Sequence, residues 1–491
     1  MQGENRISIK SLFLSNINLR QIVFKNTFWV VLAEVITRIL KLVLVVYMAR
    51  ILGAIGYGEF TFALSFVTLF IVFSDLGLSS ITIREFSASN KKEEEFFSLL
   101  SLKILLAFAT AFLMMILSFF ITKDVGTRAA IWILSVYATI SGFSEIIFAF
   151  FRARQQMQYE SLAKIFQAVA ISVFGFFVIF KMPSVQNISY SYSIASMCAL
   201  FVIMFLLYKK ISSVRIYWDA AIWVKYLKMS WPLALVSGFA AIYYNIDSTI
   251  MGYLGQIAQT GWYNAAHKIV IASLIPADTL SIIFYPVLSA SFKESAEKFQ
   301  RVWNYFLYLM VFLAIPIITG GIVFAPKLIN LIFGASYAPA ILAFQISIPI
   351  AGFYFLCAPL IKTLIVVHRQ RTVLWAYLAG TAINLALNVV LIPKYSLYGA
   401  AVSAVISFFV IFICLAIAAF KFVPLKLFNL KIAAIIICAS VSSTIMYAVI
   451  SNSFVYELNV VVAVTAGAFV YCIFFIIFYF FGKGVFKKIH A

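Results

Sequence analysis

The chain consists almost entirely of long, continuous apolar runs separated by short polar segments. Of its 491 residues, 64% are hydrophobic and only 11% are charged. A helix needs about 20 apolar residues to cross a bilayer core of roughly 30 Å, so we predict an all-α polytopic membrane protein with about 14 transmembrane helices. A transmembrane β-barrel is excluded because its strands would alternate in polarity. The predicted spans are residues 27–49, 58–82, 100–122, 129–151, 161–181, 187–208, 230–254, 262–290, 302–325, 339–364, 373–393, 398–420, 429–451 and 458–481.

The basic residues are distributed unevenly between the two sides of this array of helices. The chain has 37 Lys and Arg against 17 Asp and Glu, a net charge of +20. When the N-terminus is placed inside, most of these bases fall in the inside segments, as the positive-inside rule requires. The pattern predicts that both termini are cytoplasmic. It also explains the net charge without a nucleic-acid partner.

The segments outside the predicted spans are too short to form a catalytic domain. All five Cys residues lie in apolar runs and lack the spacing of metal ligands, which is typical of small core side chains rather than disulfides. We therefore expect no metal and no cofactor, and we expect that the protein is not an enzyme. Any function must then depend on the membrane-embedded helices.

Two parts of the chain resemble each other. Gly58 corresponds to Gly261 and Asp75 to Asp278, both pairs lying 203 positions apart. Six predicted spans separate the copies, so both have the same orientation, and transporters with two such halves bind substrate near the membrane midplane. We predict a cytoplasmic N-terminal segment (1–26), an N-lobe of spans 1–6 (27–208), a cytoplasmic inter-lobe loop (209–229), a C-lobe of spans 7–12 (230–420), and spans 13–14 with a cytoplasmic C-terminus (421–491).

Span 1 carries three charged side chains in an apolar setting. At 100° per residue, Glu34, Arg38 and Lys41 lie on one face of a helix. A charge at the bilayer centre costs about 2.5–3.5 kcal/mol, so it needs a partner, a wet cavity or a substrate. Glu34 can pair with Arg38, and one interpretation is an ion pair that only packs span 1 against its neighbours. The second base then lacks a partner, and a basic interior is typical of a site for phosphate or diphosphate.

Other polar side chains in the spans have open alternatives. Lys268 on span 8 could instead extend to the outer interface, and the nearby tyrosines could form an interfacial belt. Asp75 could form a helix-end pair with Arg84, as Glu145 could with Arg152. We predict substrate binding by Arg38, Lys41, Lys268, Asn245 and Tyr244, and ion coupling by Glu34, Asp75, Asp247 or Asp278.

Three stretches of the sequence resemble a known family. Residues 49–60, which include the run Tyr57-Gly58-Glu59-Phe60, residues 75–78 and residues 392–401 are similar to those of Wzx-type polysaccharide flippases. These belong to the multidrug/oligosaccharidyl-lipid/polysaccharide (MOP) exporter superfamily. The resemblance implies a V-shaped, MATE- and MurJ-like fold with two pseudo-symmetric six-helix lobes and two C-terminal helices. Arg38, Lys41 and Lys268 match positions where related flippases carry cavity bases.

The function implied by this resemblance is the translocation of an undecaprenyl-diphosphate-linked oligosaccharide, such as an O-antigen repeat unit for lipopolysaccharide. The glycan would pass from the cytoplasmic to the periplasmic leaflet of a bacterial inner membrane by alternating access, with its headgroup in a central cationic cavity. Implied partners are this lipid-linked glycan, membrane lipids, a polysaccharide polymerase and a chain-length regulator. We expect a monomer.

Three other functions stay open from the sequence. A drug or organic-cation antiporter of the same fold would depend on acidic residues, and the basic face of span 1 argues against it. A lipid II flippase of the same superfamily is a close relative of the first hypothesis. A membrane enzyme, such as a glycan polymerase, would need a larger outer loop than the sequence provides.

Overall fold

The computed structural model describes residues 19–87, 93–210, 217–423, 430–451 and 459–489. Within these residues every regular element is helical, so the all-α prediction is confirmed. Most of the predicted segment 1–26, and parts of 209–229 and 421–491, lie outside the described residues.

Fifteen α-helices make up the described chain, together with one short 3₁₀ turn at Ala335–Tyr337. The helices are α1 Leu19–Asp75, α2 Leu78–Ser87, α3 Glu93–Ile121, α4 Val125–Ala153, α5 Met157–Lys181, α6 Val185–Tyr208, α7 Ala220–Tyr253, α8 Ile257–Ser273, α9 Ile275–Glu294, α10 Ala296–Ile332, α11 Pro339–Ser347, α12 Pro349–Val366, α13 Gln370–Phe422, α14 Leu430–Ile450 and α15 Val460–Ile489.

These helices account for the predicted spans. Helices α1 and α13 each contain two spans, which meet where the backbone leaves helical geometry at Gly53 (φ 69°) and Ser396 (φ 53°). Among the described residues, ten candidate spans are long and apolar enough to cross a membrane. The chain is therefore a multi-pass membrane protein, and its span count of about 14 is approximate.

Two spans that the sequence predicted to be continuous are interrupted in the structure. Span 2 breaks at Leu76 and Gly77, both with positive φ. At Gly77 a Cβ atom would lie 2.6 Å from the carbonyl oxygen of Ser230 on α7, so this close approach requires glycine. Span 8 breaks at Leu274, and Pro276 lies in the first turn of α9, where the N–H that proline lacks would have no partner within the helix.

The described helices form two compact units, one ending at Gly261 and the next beginning at Trp262. In the first unit, α1 packs along α4, α5 and α7, and aromatic side chains of α3 and α4 form much of a buried core. In the second unit, α14 and α15 pack against each other and against α10. There the Tyr471 hydroxyl donates to the carbonyl of Phe312 at 2.8 Å.

The predicted repeat corresponds to a reciprocal helix contact within the first unit. A Cβ atom at Gly58 would lie 1.9 Å from the carbonyl oxygen of Ile257, and one at Gly261 would lie 2.1 Å from that of Ala54. A shift of 203 positions relates the two contacts, because Gly58 corresponds to Gly261 and Ala54 corresponds to Ile257. Glycine is needed at both positions because only a residue without a side chain lets α1 and α8 approach this closely.

Candidate substrate and ion-coupling sites

The charged face of span 1 is exposed along α1. Arg38 Nε lies 3.2 Å from Glu34 Oε2, and the two side chains are 54% and 52% exposed. Lys41 is also exposed and, among the residues that the structure describes, has no carboxylate within ion-pair distance. Glu34, Arg38 and Lys41 therefore form an exposed stripe with a net positive charge, as the helical spacing predicts. We call these three residues the α1 stripe.

Asp75 lies in a different electrostatic environment, at the other end of α1. The Lys103 ammonium, which is fully buried on α3, forms an ion pair with Asp75 and donates to the carbonyl of Gly142 at 2.9 Å. The Ser79 hydroxyl donates to the same carboxylate. The suggested pair with Arg84 is wrong, since Arg84 contacts Glu85 instead.

Lys103 lies near the start of the third predicted span (100–122) and is not among the predicted site residues. Lys103 follows an acidic run at the start of α3, and this position is typical of a helix end at the membrane surface. In the structure its side chain is buried inside the first unit, where it reaches Asp75 at the end of α1. No local sequence signal joins two residues that are 28 positions apart on different helices.

Glu145 belongs to a second charged cluster where α4 meets α5. Arg152 Nη1 lies 2.8 Å from Glu145, which confirms the predicted pair. Arg152 also binds Glu160 through Nε and Nη2 at 2.7 and 2.6 Å, and Lys164 Nζ lies 2.7 Å from Glu160. The bidentate geometry is the strong form of an arginine–carboxylate contact. Both carboxylates are thus held by basic partners.

The predicted residues of α7 lie in the first unit. The Asn245 side-chain amide donates to the carbonyl of Ala241 at 2.9 Å, which is one turn back along the same helix. Asp247 is buried, at 8% exposure, whereas Tyr244 is 65% exposed. Of these three side chains, Tyr244 is the most accessible to a ligand.

In the second unit, Lys268 is half-buried on α8, and Asp278 lies in the first turn of α9. Asp278 accepts a hydrogen bond of 2.6 Å from the Tyr354 hydroxyl on α12. A carboxylate near a helix N-terminus is also favoured by the helix dipole. The roles predicted for Lys268 and Asp278 stay predictions.

The second unit also contains an apolar cavity that the sequence analysis missed. Its volume is about 450 Å³. Small residues on two helices leave room for this cavity. They are Gly320 and Gly321 on α10, and Gly467 and Ala468 on α15. The remaining walls are mainly apolar side chains of the same two helices, with smaller contributions from α8, α11 and α14. The pairs of small residues in spans 9 and 14 were the only signal in the sequence.

The described fold is shared with solved structures of membrane transport proteins. It is similar to the lipid II flippase MurJ in an inward closed conformation, with a TM-score of 0.75, 18% identity, and coverage of 91% of this chain and 98% of that chain. It is also similar to an inward-facing multidrug MATE transporter, with a TM-score of 0.62, 14% identity, and coverage of 79% and 95%.

Sequence comparison gives the family. Residues 23–292 match the family model described as polysaccharide biosynthesis protein, which is more than half of the chain. The chain belongs to this family, and the resemblance to MOP-superfamily polysaccharide flippases is confirmed.

Two relatives are archaeal. An uncharacterized membrane protein, MJ1068, of Methanocaldococcus jannaschii is 24% identical over 410 residues, covering 75% of this chain and 79% of the relative. A probable low-salt glycan biosynthesis flippase, Agl15, of Haloferax volcanii is 23% identical over 180 residues, covering 36% and 38%.

Proposed function

We propose that the protein translocates an oligosaccharide linked through a diphosphate to undecaprenol, and that the α1 stripe binds the diphosphate. The exposed Lys41, one helical turn from Arg38 and without a carboxylate partner in the described chain, is the observation that carries this proposal. An unneutralised ammonium in an apolar helix is costly, and a diphosphate that neutralises it offsets that cost. Arginine supplies two parallel donors to such an anion, and lysine supplies a point charge.

The family and the relatives support the same substrate class. The family model is for polysaccharide biosynthesis, and the Haloferax relative is described as a glycan biosynthesis flippase. The apolar cavity of the second unit is compatible with a substrate that carries a long hydrocarbon chain. A drug or organic-cation antiporter is disfavoured, because the α1 stripe would repel a cationic substrate.

The direction, site of action and partners belong to the same proposal. We propose transport by alternating access from the cytoplasmic to the outer leaflet of a bacterial inner membrane, with both termini cytoplasmic. The glycan would be an O-antigen or similar repeat unit for lipopolysaccharide. The protein would act as a monomer beside a polymerase and a chain-length regulator. The residues proposed for ion coupling are Glu34, Asp75, Asp247 and Asp278. Those proposed for headgroup contacts are Lys268, Asn245 and Tyr244.

The test measures translocation of a fluorescent undecaprenyl-diphosphate oligosaccharide in proteoliposomes, with Arg38→Met and Lys41→Met variants. We expect each variant to slow translocation at least about tenfold, because a charge-assisted hydrogen bond contributes about 1.5–3 kcal/mol. Lys41→Arg should restore most of the rate. Lys123→Met, which removes a lysine from a predicted outer turn, is the matched control. Wild-type rates in both α1-stripe variants would contradict the proposal.

A further inference from the structure

The charge pattern predicts that one end of each of α4, α5 and α6 faces the cytoplasm. Several basic side chains at these ends lie over aromatic rings. Arg154 Cζ lies 4.1 Å from the ring centroid of Phe150, and Lys210 Nζ lies 5.3 Å from that of Tyr159. Phe151 lies between these two rings, at 6.0 Å from Phe150 and 5.1 Å from Tyr159. A continuous row of rings therefore supports Arg154 at one end and Lys210 at the other.

Lys209 extends this group onto α6. Its ammonium lies 4.5 Å from the ring centroid of Phe205. We call Arg154, Lys209 and Lys210 the basic surface. A cation over an aromatic face is attracted by the ring quadrupole, so each side chain is held in place rather than free in solvent.

The carboxylates beside the basic surface are already occupied. Glu160 is bound by Arg152 and Lys164, and Glu145 by Arg152. Both Lys209 and Lys210 are exposed, and neither has a carboxylate within ion-pair distance in the described parts of the chain. Two adjacent positive charges are therefore available to an anion that does not come from these helices.

An exposed apolar stripe leads along α6 to Lys209, whose ammonium lies over Phe205, and Lys210 follows in the chain. The side chains of this stripe are separated by three or four residues, so they lie on one face, and they are 45–78% exposed. The stripe rises about 21 Å, enough for the acyl chains of one leaflet, which is half of a core of roughly 30 Å. The stripe residues are Ile194, Met197, Phe201, Phe205 and Tyr208.

We propose that Lys209 and Lys210 bind the phosphate of an anionic phospholipid in the adjacent leaflet, with its acyl chains along the α6 stripe. Charge complementarity selects an anionic headgroup over a zwitterionic one, and the length of the stripe fits a phospholipid. Basic residues at the membrane surface attract anionic lipid in this way. The proposal does not depend on the transport function.

The experiment titrates the purified full-length protein with phosphatidylglycerol or phosphatidylcholine and counts bound lipids by native mass spectrometry. The Lys209→Gln/Lys210→Gln variant should bind phosphatidylglycerol about thirtyfold more weakly, since each surface lysine contributes roughly a fivefold factor. Phosphatidylcholine binding should not change. The control, Lys293→Gln/Lys298→Gln, removes two lysines from the second unit and should bind like the wild type.

Three results would overturn the proposal. The first is undiminished phosphatidylglycerol binding in the Lys209→Gln/Lys210→Gln variant, and the second is an equal loss in the control. The third is displacement of the phospholipid by equimolar undecaprenyl diphosphate or inorganic phosphate, which would identify a substrate site or a free-anion site instead. The first two outcomes do not bear on whether the α1 stripe binds the diphosphate of the substrate.

Discussion

Helix α1 carries charged side chains in two regions, and their environments differ. In the α1 stripe, Arg38 and Glu34 are about half exposed, and Lys41 has no carboxylate partner in the described structure. At the far end of the same helix, Asp75 is neutralised by Lys103, whose side chain is fully buried. A buried ion pair loses its hydration, so its hydrogen bonds must come from other groups of the protein. Exposed charges, in contrast, stay accessible to a ligand. The same helix therefore carries charges that a ligand can reach and a charge that a buried partner neutralises, and only the structure distinguishes the two.

The largest expected effect in this comparison is on the buried pair. Lys103→Met leaves the Asp75 carboxylate without its cation, and breaking a buried pair in this way costs about 3–5 kcal/mol of folding free energy. A thermal unfolding series in detergent would measure the loss. The double variant Lys103→Met/Asp75→Asn should recover most of it, because no uncompensated charge remains. An equally unstable double variant would show that Lys103 acts through packing alone.

The loss of stability on removing the Asp124 carboxylate should be intermediate in size. This carboxylate lies outside the membrane-spanning segments. It caps α4 by accepting from the backbone N–H of Thr127 at 2.6 Å, and this hydrogen bond lowers the pKa of Asp124. A lowered folded-state pKa contributes stability above the unfolded pKa of about 3.9, and that stability is lost as pH falls through the folded value.

We therefore expect Asp124→Asn to cost about 1 kcal/mol or less at neutral pH, as for other exposed capping charges. The difference from the wild type should shrink as the pH is lowered below about 4. Unfolding midpoints across a pH series would measure it. A difference that grows on acidification would contradict the assigned hydrogen bond.

The smallest expected effect on stability is at the α1 stripe. Lys41→Met should not lower the free energy of unfolding, because the variant removes an unneutralised ammonium from an apolar helix and breaks no ion pair in the described chain. The same unfolding series used for Lys103→Met provides the measurement. A loss as large as that of Lys103→Met would show that Lys41 is a structural residue, and the contrast between the two ends of α1 would disappear.

Part of the architecture was predictable because it depends on patterns along the chain. The length of the apolar runs predicted spanning helices, and the offset between Gly58 and Gly261 predicted the repeat that the reciprocal contact of α1 and α8 reflects. The spacing of Glu34, Arg38 and Lys41 predicted their common face. Each of these inferences needs only the periodicity or length of a helix.

The breaks and the charge partners were not predictable in the same way. Both Leu76 and Gly77 adopt positive φ next to α7. The sequence around them predicts one continuous span instead. Asp75 pairs with Lys103 rather than with Arg84, which is closer in the sequence, because helix packing places Lys103 beside the Asp75 carboxylate. The apolar cavity likewise depends on how α10 and α15 pack, although each contributes small residues that are visible in the sequence.

The amino-acid sequence alone determined that this is a helical, multi-pass membrane protein with an internal repeat and a charged face on its first span. Hydrophobic run length and helical period are local properties, so they can be read without coordinates. Only the tertiary structure decided which charges are neutralised and which stay accessible. That outcome depends on contacts between helices far apart in the chain, and the cost of burying a charge depends on the partners that packing supplies.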